Sequence, residues 1–357
     1  MIQVFRPVLH VEECLAGLRE VLETGWLGLG PKTAEFESRM AGLVGAAHFV
    51  ATNSCTAALQ LALHCLNLAP GSRVFTTPIT FVSTNMALLY EGLVPVFCDV
   101  EPTTGNLNPQ ELDELASAVL AVHIGGYPCD AAAIRALGLP VVWDCAHALG
   151  SSFRPEGDLA CWSFHAVKNL PMGDGGGVST DDPEIAARLR RLRWLGIDKS
   201  TAERTDSAGY APEYEVRELG FKAHMNDVAA AIGLAELDHL QEGNRRRAEI
   251  AARYRAGLKR VIYPGYHSAD RRSSYHFFPL FFHYRDRVAE RLRERGIFPG
   301  MHYRRNDRYP LFANCARRGE LPGAAWYEAH ELTLPLHLAM SDADVEEVIA
   351  AVNQATA

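Results

Sequence analysis

The stretch SFHAVKNLPMGDGGG, residues 163–177, decides how the rest of the chain is interpreted. It places one lysine, Lys168, between apolar residues and a cluster of glycines. A lysine in such surroundings is poorly hydrated, so its amine loses a proton more easily than a solvated ammonium and can act as a nucleophile. Most lysines, however, lie on protein surfaces with their charge in water. The interpretation of Lys168 as a cofactor-carrying lysine therefore depends on the residues that accompany it.

Composition restricts the classes of protein to which the chain can belong. With 357 residues, 48 % of them hydrophobic and 22 % charged, the chain can bury a large core, and its length predicts one large domain and a smaller one. A formal net charge of −8 argues against nucleic-acid binding but leaves small anionic ligands open. The N-terminus has no signal-peptide pattern and no apolar run is long enough to span a bilayer, so we expect a cytoplasmic protein without a membrane partner.

The cysteines are scattered along the chain without any C-x-x-C pair. There are eight of them, at positions 14, 55, 65, 98, 129, 145, 161 and 315. This spacing indicates neither a zinc ribbon nor a redox pair, so we expect no metal site and reduced, mostly buried thiols.

Short apolar runs alternate with longer amphipathic ones over most of the chain, which is typical of successive β-α-β units. Helical spacing first appears from Val11 to Leu22 and ends at Gly25. The predicted strands are 48–51, 73–76, 94–98, 119–123, 141–143, 160–164 and 177–180, and the predicted helices among them are 56–66, 83–90, 109–118 and 182–195. Because the strands are apolar throughout rather than alternating, we predict an α/β fold with a mainly parallel seven-stranded sheet between helices.

The remainder of the chain is predicted to form a smaller α+β domain. A long alanine-rich helix at 226–254 links the two parts, and a strand at 277–282 and helices at 286–295 and 342–352 follow it. We place the large domain at residues 1–245 and the small C-terminal domain at residues 246–357. The polar stretch 196–217 is predicted to be a long loop, which either closes over a substrate or crosses to a partner subunit.

Asp144 directly follows the buried-strand pattern of residues 141–143. Ligands of open α/β sheets bind at the carboxyl ends of the strands, so this carboxylate is placed for chemistry. It could hold a pyridine nitrogen protonated, which makes pyridoxal phosphate an effective electron sink. The alternative is an ordinary N-cap of a following helix.

Two further segments follow strands. Residues 52–56, TNSCT, open a helix whose free N–H groups and hydroxyls could bind a phosphate, and Ser163 could add another hydroxyl; the alternative is ordinary helix capping. In residues 78–84, Phe81 stands at a strand-to-helix turn. Its ring could stack on a cofactor, or it could be a core phenylalanine.

Together these segments resemble the fold type I pyridoxal phosphate enzymes of the aspartate aminotransferase superfamily, and in particular the nucleotide-sugar aminotransferases of the DegT/DnrJ/EryC1/StrS family. The resemblance covers nearly the whole chain. It is carried, in order, by Trp26-Leu27-Gly28, Gly30-Pro31, Glu35-Phe36-Glu37, Thr56-Ala57-Ala58-Leu59, residues 95–100, 144–150 and 163–170, and residues 220–227 with 230–234.

The resemblance implies a role for each residue of the set. Lys168 would carry pyridoxal 5′-phosphate as an internal aldimine, with pyridoxamine phosphate as the intermediate form of the cofactor; Asp144 would pair with the pyridine nitrogen, and His147 would lie near the ring hydroxyl. The remaining contacts to the cofactor would come from Ser54, Cys55, Thr56 and Ser163 at its phosphate, Phe81 on its ring, and Asn226 of the neighbouring subunit. A homodimer with shared active sites is thereby implied. Many relatives carry glycine in place of Cys55, but the backbone donor survives that change.

The implied activity is a two-step transamination. L-Glutamate would give its amino group and leave as 2-oxoglutarate, and a nucleotide-linked keto sugar would become a nucleotide amino sugar for surface polysaccharide, lipopolysaccharide O-antigen or natural-product biosynthesis. The diphosphate of such a substrate needs cations or polar partners, for which the candidates are Lys32, Lys222, His302, Tyr303 and Arg304; each could instead be a solvated surface residue. The nucleotide, the sugar, the position and stereochemistry of amination, and glutamate against glutamine as donor stay open.

Three other activities compete with this interpretation. A cysteine desulfurase would want a mobile catalytic cysteine, whereas the cysteines here lie mainly in apolar runs. A sugar dehydratase of the family carries histidine where Lys168 stands. A non-catalytic regulator that binds sugar nucleotide would be expected to have lost part of the cofactor set, which is complete here.

Overall fold

The computed structural model describes residues 1–198, 214–265 and 270–357. Its helices are α1 (Val11–Thr24), α2 (Pro31–Val44), α3 (Cys55–Cys65), α4 (Val82–Tyr90), α5 (Ala131–Arg135), α6 (Pro183–Leu192), α7 (Asp227–Gly257), α8 (Arg285–Glu294), α9 (Pro322–His330) and α10 (Asp342–Ala355). Its strands are β1 (Ile2–Gln3), β2 (His48–Thr52), β3 (Arg73–Thr76), β4 (Val94–Phe97), β5 (Ala118–Val122), β6 (Val141–Asp144), β7 (Leu159–Ser163), β8 (Gly176–Thr180), β9 (Phe278–Phe281), β10 (Ile297–Phe298), β11 (Ala316–Arg317) and β12 (Glu331–Leu334).

One large sheet has the strand order β11-β4-β3-β5-β6-β7-β8-β2. Its strands pair in parallel except at β8, which runs antiparallel to both of its neighbours. Seven of the eight strands are the predicted ones, so the mainly parallel α/β sheet is confirmed. The eighth, β11, is a two-residue edge strand from the C-terminal part of the chain, too short to leave a strand pattern in the sequence.

Both faces of the sheet are buried, which explains why its strands are apolar throughout. On β6, Val141 and Trp143 belong to a core shared with α2 and α7, whereas Val142 belongs to a second core shared with α3, α4 and α6. Successive side chains of a strand point to opposite faces, so each strand needs apolar residues at every position. The sheet is therefore held between two layers of helices.

The helix predicted at 109–118 is wrong. Only Pro109–Glu111 forms a single 3₁₀ turn, and β5 already begins at Ala118. The Asp113 carboxylate accepts a hydrogen bond from the Leu115 N–H at 2.9 Å, a local bond that competes with helix formation. The other predicted helices of the chain agree with the structure to within three residues at each end.

The long helix α7 joins two parts of the molecule. Its first half contributes Ala230 and Leu234 to the core on one face of the sheet, and its second half contributes Ile250 and Tyr254 to a third core with β9, β12, α8 and α10. The domain division predicted between residues 245 and 246 falls inside this continuous helix and stays a prediction. Of the predicted loop at 196–217, residues 199–213 lie outside the described ranges; Ile197 and Val216, near its ends, form an antiparallel bridge.

Among the helices of the described ranges, not one is both long and apolar enough to cross a membrane. In the same ranges, no group of three or more His, Cys, Asp or Glu side chains is arranged to hold a metal ion.

Asp227, the first residue of α7, is buried and holds the start of α2. Its Oδ1 accepts hydrogen bonds from the Gly30 N–H at 3.0 Å, the Thr33 N–H at 2.9 Å and the Thr33 hydroxyl at 2.7 Å, and its Oδ2 accepts one from the Lys32 N–H at 3.0 Å. The amides in this set are at the N-terminus of α2, where a helix leaves its first N–H groups without internal partners, and the positive end of the helix dipole favours a carboxylate there. One side chain thus fixes the junction between two helices far apart in sequence.

We expect Asp227→Ala to lower the free energy of unfolding by about 3 kcal/mol, because it leaves several buried hydrogen-bond donors without an acceptor. Asp238→Ala on the same helix is the matched control. Asp238 is 64 % exposed and its ion pair with Arg39 is superficial, so its loss should cost less than about 1 kcal/mol. Urea unfolding measures both; equal losses would contradict the capping role.

Candidate active site

Four neighbouring strands bring residues from distant parts of the sequence to one edge of the large sheet. Gly176 of β8 pairs with Thr52, the last residue of β2, on one side and with Ser163, the last residue of β7, on the other. Asp144 ends the next strand, β6, and pairs with Cys161. The start of α3, Ser163 and Asp144 therefore lie at the same edge, as the sequence predicted.

Asp144 is a buried carboxylate held in one orientation by two hydrogen bonds. Its Oδ1 accepts the Ala146 N–H at 3.0 Å, and its Oδ2 accepts the Thr84 hydroxyl at 2.7 Å. Burial raises the pKa of Asp144, and these two bonds and the charge of Lys168 act in the opposite direction. The capping alternative is wrong, because the described residues between β6 and β7 form turns and no helix; the bond to Ala146 is a local turn contact, and the side chain also bonds across the site.

Thr84 is a site residue that the sequence analysis missed. Its hydroxyl has a single hydrogen, which goes to Asp144, so the Thr80 hydroxyl at 2.8 Å must donate to Thr84. Both threonines are buried and lie in the segment 78–84, in which only Phe81 was predicted to have a role. The sequence signal for this pair was two hydroxyl side chains four residues apart, which is the spacing of one helical turn.

Lys168 lies half-buried in the turn after β7. Burial lowers its pKa to about 8, against the attraction of Asp144, which raises it. A lysine with this pKa is partly neutral near pH 8, so its amine can take up and release a proton. The structure thus gives Lys168 the electrostatic setting that the sequence predicted.

His147 lies among aromatic rings beside Asp144. Its ring stacks on that of His276 at 4.5 Å between centroids, and its Nε2 is 3.2 Å from the Tyr303 hydroxyl. The buried Nδ1 has no hydrogen-bond partner among the described residues. Burial lowers the pKa of His147 well below its usual value, so the ring is neutral and can donate or accept at Nδ1. His276, a second missed residue, comes from the C-terminal part of the chain.

The start of α3 has the geometry of a phosphate site. The Ser54 hydroxyl caps the helix by accepting the Ala57 N–H at 3.2 Å, which leaves the first amides, those of Cys55 and Thr56, without intrahelical partners. A Cβ added to Gly176 would lie 2.5 Å from the Cys55 nitrogen. Only glycine allows β8 to approach this turn so closely, and Ser163 lies on the other side of that glycine.

The structure brings Phe81, Tyr303 and His302 to the same region. The Phe81 ring is 59 % exposed and lies 6.2 Å from the Tyr303 ring, so it is not a core phenylalanine. The ring of His302 lies 4.9 Å from that of Tyr303. Arg304, the next residue, is exposed and lies over the Tyr309 ring.

The other candidate residues lie elsewhere. The Lys32 ammonium is 2.8 Å from Glu20, and the Lys222 ammonium lies 3.5 Å above the Trp194 ring, in a cleft with Arg190 and Arg191. Asn226 is exposed and caps α7 by accepting the Ala229 N–H at 2.9 Å. Within this chain, these three side chains do not join the group around Lys168.

The cysteines share one property that bears on chemistry. All eight are free thiols and six are buried, as predicted. Burial raises the pKa of every one of them, including Cys55 at the start of α3. Thiols in this state are poor nucleophiles, because the thiolate is the reactive form.

Comparison with known proteins agrees with this geometry. Residues 9–353 match the DegT/DnrJ/EryC1/StrS aminotransferase family. The chain is 37 % identical over 371 residues to the spore coat polysaccharide biosynthesis protein SpsC of Bacillus subtilis strain 168, covering 97 % of this chain and 95 % of SpsC. It is similar in structure to the aminotransferase TlmJ from Streptoalloteichus hindustanus, with 38 % identity, a TM-score of 0.90, and coverage of 99 % of this chain and 98 % of TlmJ. It is also similar to the sugar aminotransferase CalS13 from Micromonospora echinospora, with 31 % identity, a TM-score of 0.90, and coverage of 99 % and 100 %. The predicted fold type I is confirmed.

Aminotransferases of this kind depend on pyridoxal phosphate, and the residues at the strand ends fit that group. Asp144 forms no ion pair with a basic side chain in the described part of the chain, so a protonated ring nitrogen would complement it. The unpartnered Nδ1 of His147 offers a bond to a ring substituent, and the amides at the start of α3 suit a phosphate. The donor set therefore matches the cofactor by its chemistry.

We predict that the Lys168 amine of the cofactor-free protein reaches half-maximal acylation near pH 8, its pKa being about 8. Lys32 is the internal control, because its hydrogen bond to Glu20 raises its pKa and should delay its reaction to more alkaline pH. Asp144→Asn removes the charge that raises the pKa of Lys168, so the midpoint should move to lower pH. Peptide mass spectrometry after brief acylation measures each site, and identical midpoints for both lysines would refute the assignment.

Proposed function

This chain belongs to the DegT/DnrJ/EryC1/StrS aminotransferase family, and we propose that it transfers an amino group from L-glutamate to a nucleotide-linked keto sugar. The observation that carries the proposal is the pairing of half-buried Lys168, whose pKa is about 8, with the buried carboxylate of Asp144, which faces no other cation of the described residues. The names of SpsC and CalS13 place those proteins in polysaccharide biosynthesis and sugar amination, which supports a sugar acceptor here. The product would be a nucleotide amino sugar for a surface glycan or a natural product.

Lys168 and Asp144 divide the work of the reaction. Pyridoxal phosphate, when bound, supplies an electron sink for the carbon atom that loses a proton. The Lys168 amine takes that proton and returns it to a neighbouring carbon, a transfer for which a pKa near working pH is favourable. Asp144 keeps the proton of the ring nitrogen in place, and Thr84 keeps the Asp144 carboxylate aimed at it.

Other residues of the chain hold and orient the cofactor in this proposal. The amides and side chains of Ser54, Cys55 and Thr56, with the Ser163 hydroxyl, bind the phosphate, and Phe81 stacks on the ring. His147 bonds the ring hydroxyl.

The proposal further includes a homodimer with shared active sites. Asn226 uses only its amide oxygen to cap α7, so its amide nitrogen remains available to a phosphate in the partner subunit. Lys222 and the exposed Arg304 remain candidates for the diphosphate of the substrate, whereas the ammonium of Lys32 is engaged by Glu20. A cytoplasmic location, where nucleotide sugars are made available, is part of the same proposal.

The alternatives receive less support from the structure. The raised pKa values of all eight thiols oppose a cysteine-based reaction such as that of a desulfurase. A sugar dehydratase of this family would carry histidine in place of Lys168. A non-catalytic regulator would not need the complete set of buried donors around Asp144 and Lys168.

We expect the cofactor-loaded protein to transaminate at least one member of a panel of nucleotide keto sugars with L-glutamate, followed by mass spectrometry. Lys168→Ala should lower the rate by roughly 10²- to 10⁴-fold, because it removes the group that moves the proton. Lys259→Ala is the control, since Lys259 is an exposed lysine beyond α7 and should leave activity unchanged.

Two results would contradict the proposal at different points. If Lys168→Ala keeps the visible absorbance and activity of the native protein, the central lysine is misassigned. If glutamate changes the absorbance of the native protein but no keto sugar reverses the change, the sugar-nucleotide substrate class is wrong.

A further inference from the structure

A further buried carboxyl group, that of Glu331, lies outside the set of residues used so far. Glu331 begins β12, is fully buried, and forms no ion pair in the described part of the chain. Its Oε2 accepts the His302 N–H at 2.8 Å and its Oε1 accepts the Thr333 hydroxyl at 2.5 Å. The ionised form of a buried carboxyl group with only these partners is costly in free energy, so burial favours the protonated form.

The Thr333 hydroxyl links this carboxyl to His302. It lies 2.5 Å from Glu331 Oε1 and 2.8 Å from His302 Nδ1, and Thr333 is itself fully buried. Two backbone hydrogen bonds between Thr333 and Gly300, both of 2.9 Å, fix β12 against the segment that carries His302. The three polar groups therefore form a continuous chain of hydrogen bonds.

A hydroxyl has one hydrogen, so the direction of one bond sets the direction of the other. When Glu331 is ionised, Thr333 donates to it, and His302 donates to Thr333 from Nδ1. When Glu331 is protonated, it donates to Thr333, Thr333 donates to Nδ1, and the ring hydrogen of His302 is on Nε2. The protonation of Glu331 thus selects the tautomer of His302.

The His302 end of this chain of hydrogen bonds lies close to residues of the candidate active site. His302 Nε2 has no hydrogen-bond partner among the described residues, in contrast to Nδ1. The His302 ring lies 4.9 Å from that of Tyr303, whose hydroxyl reaches His147. Burial and, to a smaller extent, the charge of Lys168 lower the pKa of His302 to about 3, so the ring is neutral and within electrostatic reach of Lys168.

We propose that Glu331, Thr333 and His302 form a proton relay that serves the oxygen atom exchanged between substrate and water. This inference rests on the proposed transamination. When an amine condenses with a keto group, one amine hydrogen passes to the oxygen and the other stays on the nitrogen; the carbon–oxygen bond then breaks as the carbon–nitrogen double bond forms, and the oxygen needs one more proton to leave as water. His302 gives it from Nε2, Nδ1 takes one from Thr333, and Thr333 takes one from the Glu331 carboxyl, which ends as a carboxylate.

The relay is reset in each catalytic cycle. The other half-reaction adds water to release the keto acid, and the proton that this water gives up returns along the same three groups to Glu331. No external acid or base is consumed. The charged groups that face the relay are Arg285, which lowers the pKa of Glu331, and Lys168 at the other end.

The tautomer of His302 in the cofactor-loaded protein tests the relay without any substrate. Burial raises the pKa of Glu331 to about 8, so ring-nitrogen NMR shifts should place the His302 hydrogen on Nε2 below that pH and on Nδ1 above it. His302→Gln identifies the signal by its loss. Thr333→Ser should keep the change, Thr333→Val should abolish it, and Glu331→Gln should hold the Nε2 form at every pH. One unchanging tautomer in the native protein, or an unchanged switch in Thr333→Val, overturns the proposal.

Kinetics of the two half-reactions give the second test. Thr333→Val should slow the reaction with L-glutamate alone and the reaction with the keto substrate by roughly 10-fold or more, with KM nearly unchanged and activity kept in Thr333→Ser. Equal rates for the valine and serine variants overturn the relay. If no keto sugar reacts even with the native protein, the proposed function fails, whereas the tautomer test still decides the relay. Thermal unfolding and cofactor absorbance confirm that each variant is folded.

Discussion

The site depends on a balance between desolvation and the attraction of two opposite charges. Burial lowers the pKa of Lys168 and raises that of Asp144, while each charge stabilises the other. Were desolvation weaker, the amine would stay protonated; were Asp144 absent, the lysine would lose its charge more readily still. The threonine pair behind Asp144 sustains this balance, because a carboxylate with a fixed orientation gives a constant field. The sheet supplies that rigidity by holding Asp144 and Ser163 at the ends of neighbouring strands.

Much of the large sheet was predictable from sequence because its strands are buried on both faces. Burial of this kind leaves continuous apolar runs, and the predicted and observed strands differ by at most one residue at each end. The helix predicted at 109–118 failed for a local reason, since Leu112 and Ala116 are buried one helical turn apart in sequence although the chain there follows side-chain-to-backbone bonds. The two-residue β11 depends on its partner β4 alone and carries no local signal.

Residues of the site could be predicted where their proposed role depends on their position relative to a predicted strand. Asp144 ends β6 and Lys168 lies in the turn after β7, and both positions can be recognised from the strand patterns that precede them. Thr84 could not be assigned in the same way, because its partner is 60 residues away and only the folded chain brings them together. Lys32 shows the reverse error, since a lysine that looks free in the sequence is paired with Glu20 on the preceding helix. Tertiary partners, rather than residue types, decide these cases.

The helix α7 has a mechanical consequence for the molecule. Its 31 residues span about 46 Å, with Asp227 anchoring the start of α2 at one end and Tyr254 packed in the C-terminal core at the other. A continuous helix does not bend like a flexible linker, so a displacement of one end of α7 tilts the other end. If the chain were produced as two separate halves divided within α7, each fragment would expose an apolar stripe of this helix. The core on one face of the sheet and the C-terminal core are therefore coupled through one continuous helix.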